Sequence, residues 1–355
     1  MYNLMNLLLN VANSNGSDLH IVAGVPPMMR KDTIMRPLGS EVLSPEDTQA
    51  LVYSVLNEKQ IKRFEERNEL DASFPVPGRG RVRLNVFRQR SSISAALRFI
   101  PQAIFTFEQL HLSNVVYEIV NMQKGLVLVT GVTGSGKTTT IASMINYINE
   151  RRHGHIVTIE DPIEYIHQHK NCIVNQREVG SDTDSFANAL KYVLRQDPDV
   201  ILVGEMRDLE TISAAITLAE TGHLVFATLH TMDAASSINR MVDVFPGHQQ
   251  AQIRSQLSLV LKAVLSQQLL PHASGTGMAL ATEVMMVNDS IKNIIREMKT
   301  EQLYSVIQTS RQSGMQTMNQ SLFDNVMKGN VTPQIALEYS SKKEELIGLL
   351  QRTIR

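Results

Sequence analysis

At 355 residues, with 43% hydrophobic and 19% charged side chains, the chain has enough apolar material for two domains, because a single core usually stops growing near ~250 to 300 residues; its composition excludes disorder. A formal net charge of −1 excludes a protein that coats nucleic acid along its length, and the single cysteine, Cys172, excludes an internal disulfide and a cysteine-built zinc knuckle. No basic leader opens the chain and no apolar run approaches the ~18 to 20 residues that span a bilayer, so a reducing, cytoplasmic setting is expected, with membrane association only through a partner or a surface.

Residues 1–100 read as a small α/β domain. LMNLLLNVAN has helical spacing, DLHIVAG is strand-like before the Pro26-Pro27 turn, and SPEDTQALVYSVL opens a helix with Ser44 as N-cap and Pro45 in the first turn. GRGRVRLNVFRQRSSISAALRFIP alternates like two paired strands, with Arg79, Arg81 and Arg83 on one face and Leu84, Val86 and Phe87 packing nearby. On the residues alone, a solvated strand face explains that arginine stripe as well as a binding role does. Residues 101–113, from Pro101 through PQAIFTFEQLHLS, read as a hinge-like linker.

Over 114–355 the pattern changes to apolar strands separated by helices, the signature of a parallel sheet with covering helices. The strands are GLVLVTG, HIVTIE, DVILVGE and HLVFATLH. QIRSQLSLVLKAVLSQQLL reads as one helix with Ile253, Leu257, Val260, Leu261, Val264 and Leu265 on a single face. After the Gly275 to Gly277 turn, MALATEVMMV is strand-like, and the tail from Ser290 reads as short helices.

The first of those strands runs into a P-loop. In LVLVTGVTGSGKTT the glycines let successive backbone N–H groups close around a phosphate, and the following helix, IASMINYINERR, turns its positive end to the same anion. The candidate nucleotide-binding set is Gly131, Val132, Thr133, Gly134, Ser135, Gly136, Lys137, Thr138 and Thr139. Lys137 is placed to reach the β- and γ-phosphates of ATP, and Thr138 to offer its hydroxyl to Mg²⁺.

Three later strand ends add chemistry. IVTIEDPIEY carries Glu160, Asp161 and Glu164, any of which could orient and deprotonate the water that attacks the γ-phosphorus. DPDVILVGE ends on Glu205, a carboxylate suited to hold the metal's water shell, although Asp is the usual residue there. TGHLVFATLHT flanks its strand with His223 and His230, either able to contact a phosphate. Singly, a carboxylate at a strand end is more often solvated and a lone histidine more often packed; succession after a P-loop reverses that reading.

GSDLH at Gly16 to His20, the P-loop, the acidic box Glu160 to Glu164, RQDPDVILVGEMRDLET and TGHLVFATLHT together resemble the secretion ATPases that power type IV pili and type II secretion. The resemblance covers essentially the whole chain. Its length, the missing zinc-binding cysteines and the tail segment GMQTMNQSL look like the branch that retracts pili. The resemblance implies a PAS-like N-terminal α/β domain and a RecA-like P-loop ATPase domain with a helical C-terminal tail, assembled as a homo-hexamer at the cytoplasmic face of the inner membrane. A pilus platform protein would be its partner, with no stable nucleic acid. It further implies Glu164 as catalytic base, Glu205 as the Walker B carboxylate on Mg²⁺ through water, His223 and His230 near the γ-phosphate or a subunit boundary, and Arg81 and Arg83 completing the nucleotide site.

The sequence departs from the family in two places. Met298 stands in IREMK where a glycine is often found, which argues against a special backbone turn, and Thr231-Met232 follows the second histidine where Asn is common. The implied mechanism is hydrolysis coupled to domain rotation. An assembly or secretion ATPase of the same superfamily, a RecA-type nucleic-acid translocase and a non-catalytic ATP sensor are the other readings; the low aromatic content, 5% with no Trp, weighs against the translocase.

Overall fold

The computed structural model describes residues 2–14, 16–31, 34–76, 80–100 and 103–353. Arg79 and Pro101, singled out above, lie outside them. The chain divides into two units, one of Met1–Ile104 with the short stretch Pro162–Ile166, the other of Phe105–Asp161 with His167–Arg355.

In the first unit, α1 (Leu4–Asn13) buries Leu4, Leu7, Leu8 and Val11, the stripe its sequence spacing sets up, and Asn3 accepts the Asn6 amide at its start. Ser44 forms a capping box with Asp47 at the head of α2 (Pro45–Tyr53), as expected, and Asn57 does the same with Gln60 for α3 (Glu58–Arg67). Six strands, β1 (Asp18–Ile21), β2 (Met28–Lys31), β3 (Ile34–Pro37), β4 (Glu69–Val76), β5 (Gly80–Gln89) and β6 (Ser92–Ile100), form an antiparallel sheet in the order β3-β2-β1-β6-β5-β4. Along β5 the period of two sends Val82, Leu84 and Val86 into the core and Arg81 and Arg83 to the other face. Phe87 falls by parity on the arginine side, not with Leu84 and Val86 as expected, and is only half-buried.

The second unit is built on seven strands: β7 (Gly125–Thr130), β8 (His155–Glu160), β9 (Ile173–Glu178), β10 (Val200–Val203), β11 (Leu224–Leu229), β12 (Leu261–Pro271) and β13 (Met278–Met286). Their order is β13-β12-β7-β11-β10-β8-β9, parallel throughout except for β13. All of β7 is buried because its alternate residues serve two cores: Leu126 and Leu128 pack beneath α6 (Phe186–Val193), α7 (Leu209–Glu220), α8 (Ala234–Asp243) and α9 (Gly247–Val260), while Val127 and Val129 face α4 (Val115–Val120) and α5 (Lys137–Arg151). This is the α/β architecture foreseen, with an N-terminal sheet unit and a RecA-like sheet carrying the P-loop. Of the stretch read as a linker, residues 105–113 belong to the second unit, where Phe107 is buried and stacks on Tyr147 at 5.1 Å.

Two further expectations are corrected. The long helix from Gln252 ends at Val260; Leu261, Val264 and Leu265 lie on β12, which pairs with β7 on one side and β13 on the other. Ile253, Leu257 and Val260 keep the helical face, but the run from Leu261 to Leu265 has two sheet neighbours to satisfy it, and periodicity alone does not separate a buried strand from a buried helix. The second concerns Met298, which ends α10 (Asp289–Glu297) at φ 60°, ψ 31°, with the Lys299 amide returning to the Ile294 carbonyl at 3.1 Å. The left-handed turn is made without glycine. Beyond it come α11 (Leu303–Thr309), α12 (Met318–Met327), α13 (Pro333–Tyr339) and α14 (Lys343–Thr353); α12 to α14 pack with Leu270, Ala279 and Ala281 of β12 and β13 in a separate apolar cluster. Among the described residues no helix is long and apolar enough to cross a membrane.

Candidate active site

The parallel strands bring the P-loop, Glu160, Glu205 and His230 to one edge of the sheet, at the carboxyl ends of β7, β8, β10 and β11, where open α/β sheets collect ligands. Cross-ties fix that edge. The Gly204 amide donates to the Ile159 carbonyl at 2.8 Å, the Met206 amide to the Thr228 carbonyl at 3.1 Å, and the Thr228 hydroxyl to the Gly204 carbonyl.

Thr130 closes β7 with a hydroxyl bond of 2.9 Å to Ser266 on β12, and the loop turns at Gly131. Gly131 has φ 142°, and a Cβ there would sit 2.4 Å from the Gln267 carbonyl oxygen and 2.5 Å from Ser135 Oγ, so no other residue fits. Gly136, left-handed at φ 88°, precedes α5 without offering a side-chain cap, so the first-turn amides of Lys137, Thr138 and Thr139 are turned to the loop. Lys137 is 9% exposed and its ammonium donates to the Gly131 and Val132 carbonyls at 2.7 and 3.0 Å. Gln267 supports the loop from below, its side-chain amide donating to Thr140 Oγ1 at 2.8 Å. Val132, Thr133 and Gly134 form the exposed crest, while Ser135 is buried beneath it.

Glu205 is held by three contacts. Arg207 takes it as a fork, Nε to Oε1 and Nη2 to Oε2, both 2.7 Å, and His230 Nε2 lies 3.2 Å from Oε1. Burial works to raise its pKa, but Arg207 and the His230 beside it prevail and hold the carboxyl below the ordinary glutamate range. It therefore stays a carboxylate at neutral pH. Glu160 is 7% exposed and its Oε1 accepts the Thr158 hydroxyl at 2.6 Å and the Gln176 amide at 3.1 Å; Gln176 in turn accepts the His167 amide at 2.8 Å. Asp161, next along, is exposed.

Three of the remaining candidates belong to the first unit. Glu164 is half-buried on the Pro162–Ile166 stretch, which belongs to the first unit, as do Arg81 and Arg83 on β5. There Arg81 donates to Ser73 Oγ, and Arg83 stands 3.9 Å from Asp71. His223 is not at the phosphate edge. It precedes β11, its carbonyl accepts the Gly125 amide at 2.9 Å at the opposite end of β7, and its Nδ1 meets the Leu218 carbonyl at 2.9 Å. A six-residue strand at ~3.3 Å per residue separates it from His230 by roughly 20 Å, which removes it from the γ-phosphate reading within one chain.

Arg207 and Gln267 are site residues that sequence reasoning did not single out. Arg207 had a signal, since it follows Glu205 by two positions within a motif already quoted. Gln267 had none, because its place beneath Gly131 depends on β12 lying beside β7.

Among the described residues no cluster of three or more His, Cys, Asp and Glu is arranged to hold a metal ion. The fit to magnesium rests on Thr138 in the first turn of α5 and on the ionised Glu205.

The type IV pilus retraction ATPase PilT of Pseudomonas aeruginosa is 49% identical over 335 residues, 94% of this chain and 97% of that protein. A twitching motility protein of Neisseria gonorrhoeae is 45% identical over 97% of this chain and 92% of its own length. A crystal structure of the pilus retraction motor PilT with bound ADP superposes with a TM-score of 0.91 at 50% identity, covering 97% of this chain and 99% of that one. The Type II/IV secretion system protein family matches residues 4–346, nearly the whole chain, and the chain belongs to that family.

Proposed function

We propose that this chain is an ATP hydrolase whose turnover drives retraction of type IV pili, working as a homo-hexamer on the cytoplasmic face of the inner membrane against a pilus platform protein. The observation that carries the reading is the preformed phosphate cradle at Gly131 to Thr139, with an ionised Glu205 on the same edge, in a chain 49% identical to PilT over nearly its whole length. Residues 1–100 act as the N-terminal domain, 101–113 as the connection and 114–355 as the ATPase domain.

Lys137 leaves the loop carbonyls for the β- and γ-phosphate oxygens, and the first-turn amides of α5 take the remaining phosphate charge. Thr138 and Glu205 are the residues that would hold a magnesium ion, which would supply charge neutralisation at the phosphates. Glu164 orients and deprotonates the attacking water, and Arg81 and Arg83 from the first unit offset charge on the transferred phosphoryl group. His230 senses that group beside Glu205. Because turnover moves the partner only through differences in contact between nucleotide states, release of phosphate is the step that resets the subunit.

The test is ATP turnover by the purified chain and by Lys137→Ala. The variant should keep its circular dichroism and lose turnover; full activity in it would remove the assigned site. Deletion of the gene reports the direction of work: excess surface pili mark a retraction motor, and absent pili an assembly motor.

A further inference from the structure

Glu283 on β13 is 4% exposed and takes no part in the phosphate chemistry above. Its Oε1 accepts the amide of Ala234, the first residue of α8, at 2.9 Å. The same carboxylate accepts the amide of Met318, the first residue of α12. Two helices thus direct their positive ends at one buried carboxyl group. The chain reaches Ala234 directly from His230 through Thr231, Met232 and Asp233, so a fixed Ala234 fixes the far end of the loop whose near end stands 3.2 Å from Glu205.

On the other side lies GMQTMNQSL, the tail segment that the phosphate site leaves unexplained. Gln316 pairs with Val284 through backbone bonds of 2.9 and 3.1 Å, and its side-chain amide donates to the Thr282 carbonyl at 3.0 Å and hydroxyl at 2.8 Å. Ser321 Oγ accepts the Thr282 amide at 3.0 Å. The segment therefore grips β13 immediately before and after Glu283. The charged and titratable groups that act on the carboxylate are Asp233 from the head of α8, Lys342 ahead of α14 and Tyr304 from α11, the last bonded to Glu345.

We propose that Glu283 is a positioning residue for hydrolysis: it joins the start of α8 to the start of α12, so that the C-terminal helices set the place of His230 beside Glu205. The inference rests on the ATPase reading. A carboxylate suits the task because both of its oxygens can accept from the two amides, whereas a glutamine has a single accepting oxygen and brings an NH2 donor into the same place.

Steady-state ATP turnover of the full chain with magnesium tests this in the parent, Glu283→Gln, His230→Ala and the double variant. Glu283→Gln should lower kcat about tenfold with KM for ATP within about twofold, the size of effect expected when a supporting contact behind a site residue is lost. In the His230→Ala background the same change should cost nothing further, because both act through one element. If Glu283→Gln does not fold, Gln316→Ala replaces it with the same expectation, since it frees β13 while leaving the carboxylate in place. No turnover by the parent would overturn the ATPase reading and this inference together. A parent that turns over ATP, with the Glu283→Gln or Gln316→Ala variant unchanged in kcat, or with losses that multiply in the double variant, would overturn this inference alone.

Discussion

Replacing Glu283 by glutamine should flatten the fall in stability toward alkaline pH, and the size of the change follows from where the carboxylate sits. Burial is the main force that pushes its pKa up to about 7 from the ordinary glutamate value of 4.5, with Asp233 adding to the push, while the Ala234 and Met318 amides and Lys342 pull the other way. A group whose pKa is raised by folding contributes its full stability below the unfolded value and loses it as pH rises through the folded one. For a rise from 4.5 to about 7, the contribution lost between pH 5 and pH 8 is roughly 2 to 3 kcal/mol. Urea unfolding followed by far-ultraviolet circular dichroism at pH 5, 6, 7 and 8 should show the parent weakening relative to Glu283→Gln by that amount, with histidine titrations common to both proteins cancelling in the difference. A stability difference that stays constant across this range, or one that moves in favour of the parent as pH rises, would refute the reasoning. Together with the tenfold slower turnover expected above, the result would make Glu283 a residue that spends stability on geometry.

Three further outcomes are expected. Met298→Gly should gain about 1 kcal/mol in urea unfolding, because Met298 occupies a left-handed turn at φ 60° while being 52% exposed, so little packing is lost; a loss of stability would contradict this. Gly131→Ala should weaken nucleotide binding about a hundredfold by titration calorimetry, since its Cβ would lie 2.4 Å from the Gln267 carbonyl in a backbone region that costs ~1 to 3 kcal/mol for other residues. Arg207→Ala should release Glu205 to titrate at higher pH, so the acid limb of the turnover profile moves upward; an unmoved limb would mean that Arg207 does not hold the carboxylate ionised.

The legible parts of the fold were those whose burial is uniform along the chain. β7, β8, β10 and β11 are buried on both faces and read as apolar runs, and their carboxyl ends gave the P-loop, Glu160, Glu205 and His230 directly from the sequence. β9 is hard to read because the polar run IVNQRE suffices for an edge strand: Ile173 and Asn175 are exposed and only Val174 and Glu178 are buried. β3 is a four-residue strand without a single buried residue. β12 was misread because its strand character comes from its partners, not from its own period. His223 was grouped with His230 since both flank one motif, yet a strand carries its two ends to opposite edges of the sheet. The resemblance singled out Glu164 among the three carboxylates of its box and gave Arg81 and Arg83 a role that local spacing left open; all three belong to the other unit.

The ties between Thr130 and Ser266, and between Thr140 and Gln267, span 136 and 127 positions of chain. A ribosome making this protein therefore finishes the Walker A segment long before the strand that braces it has emerged. Nucleotide capture becomes a late event in synthesis, and fragments that stop short of β12 would carry the motif without the pocket. A phosphate pocket braced in this way would be complete only once β12 has been made.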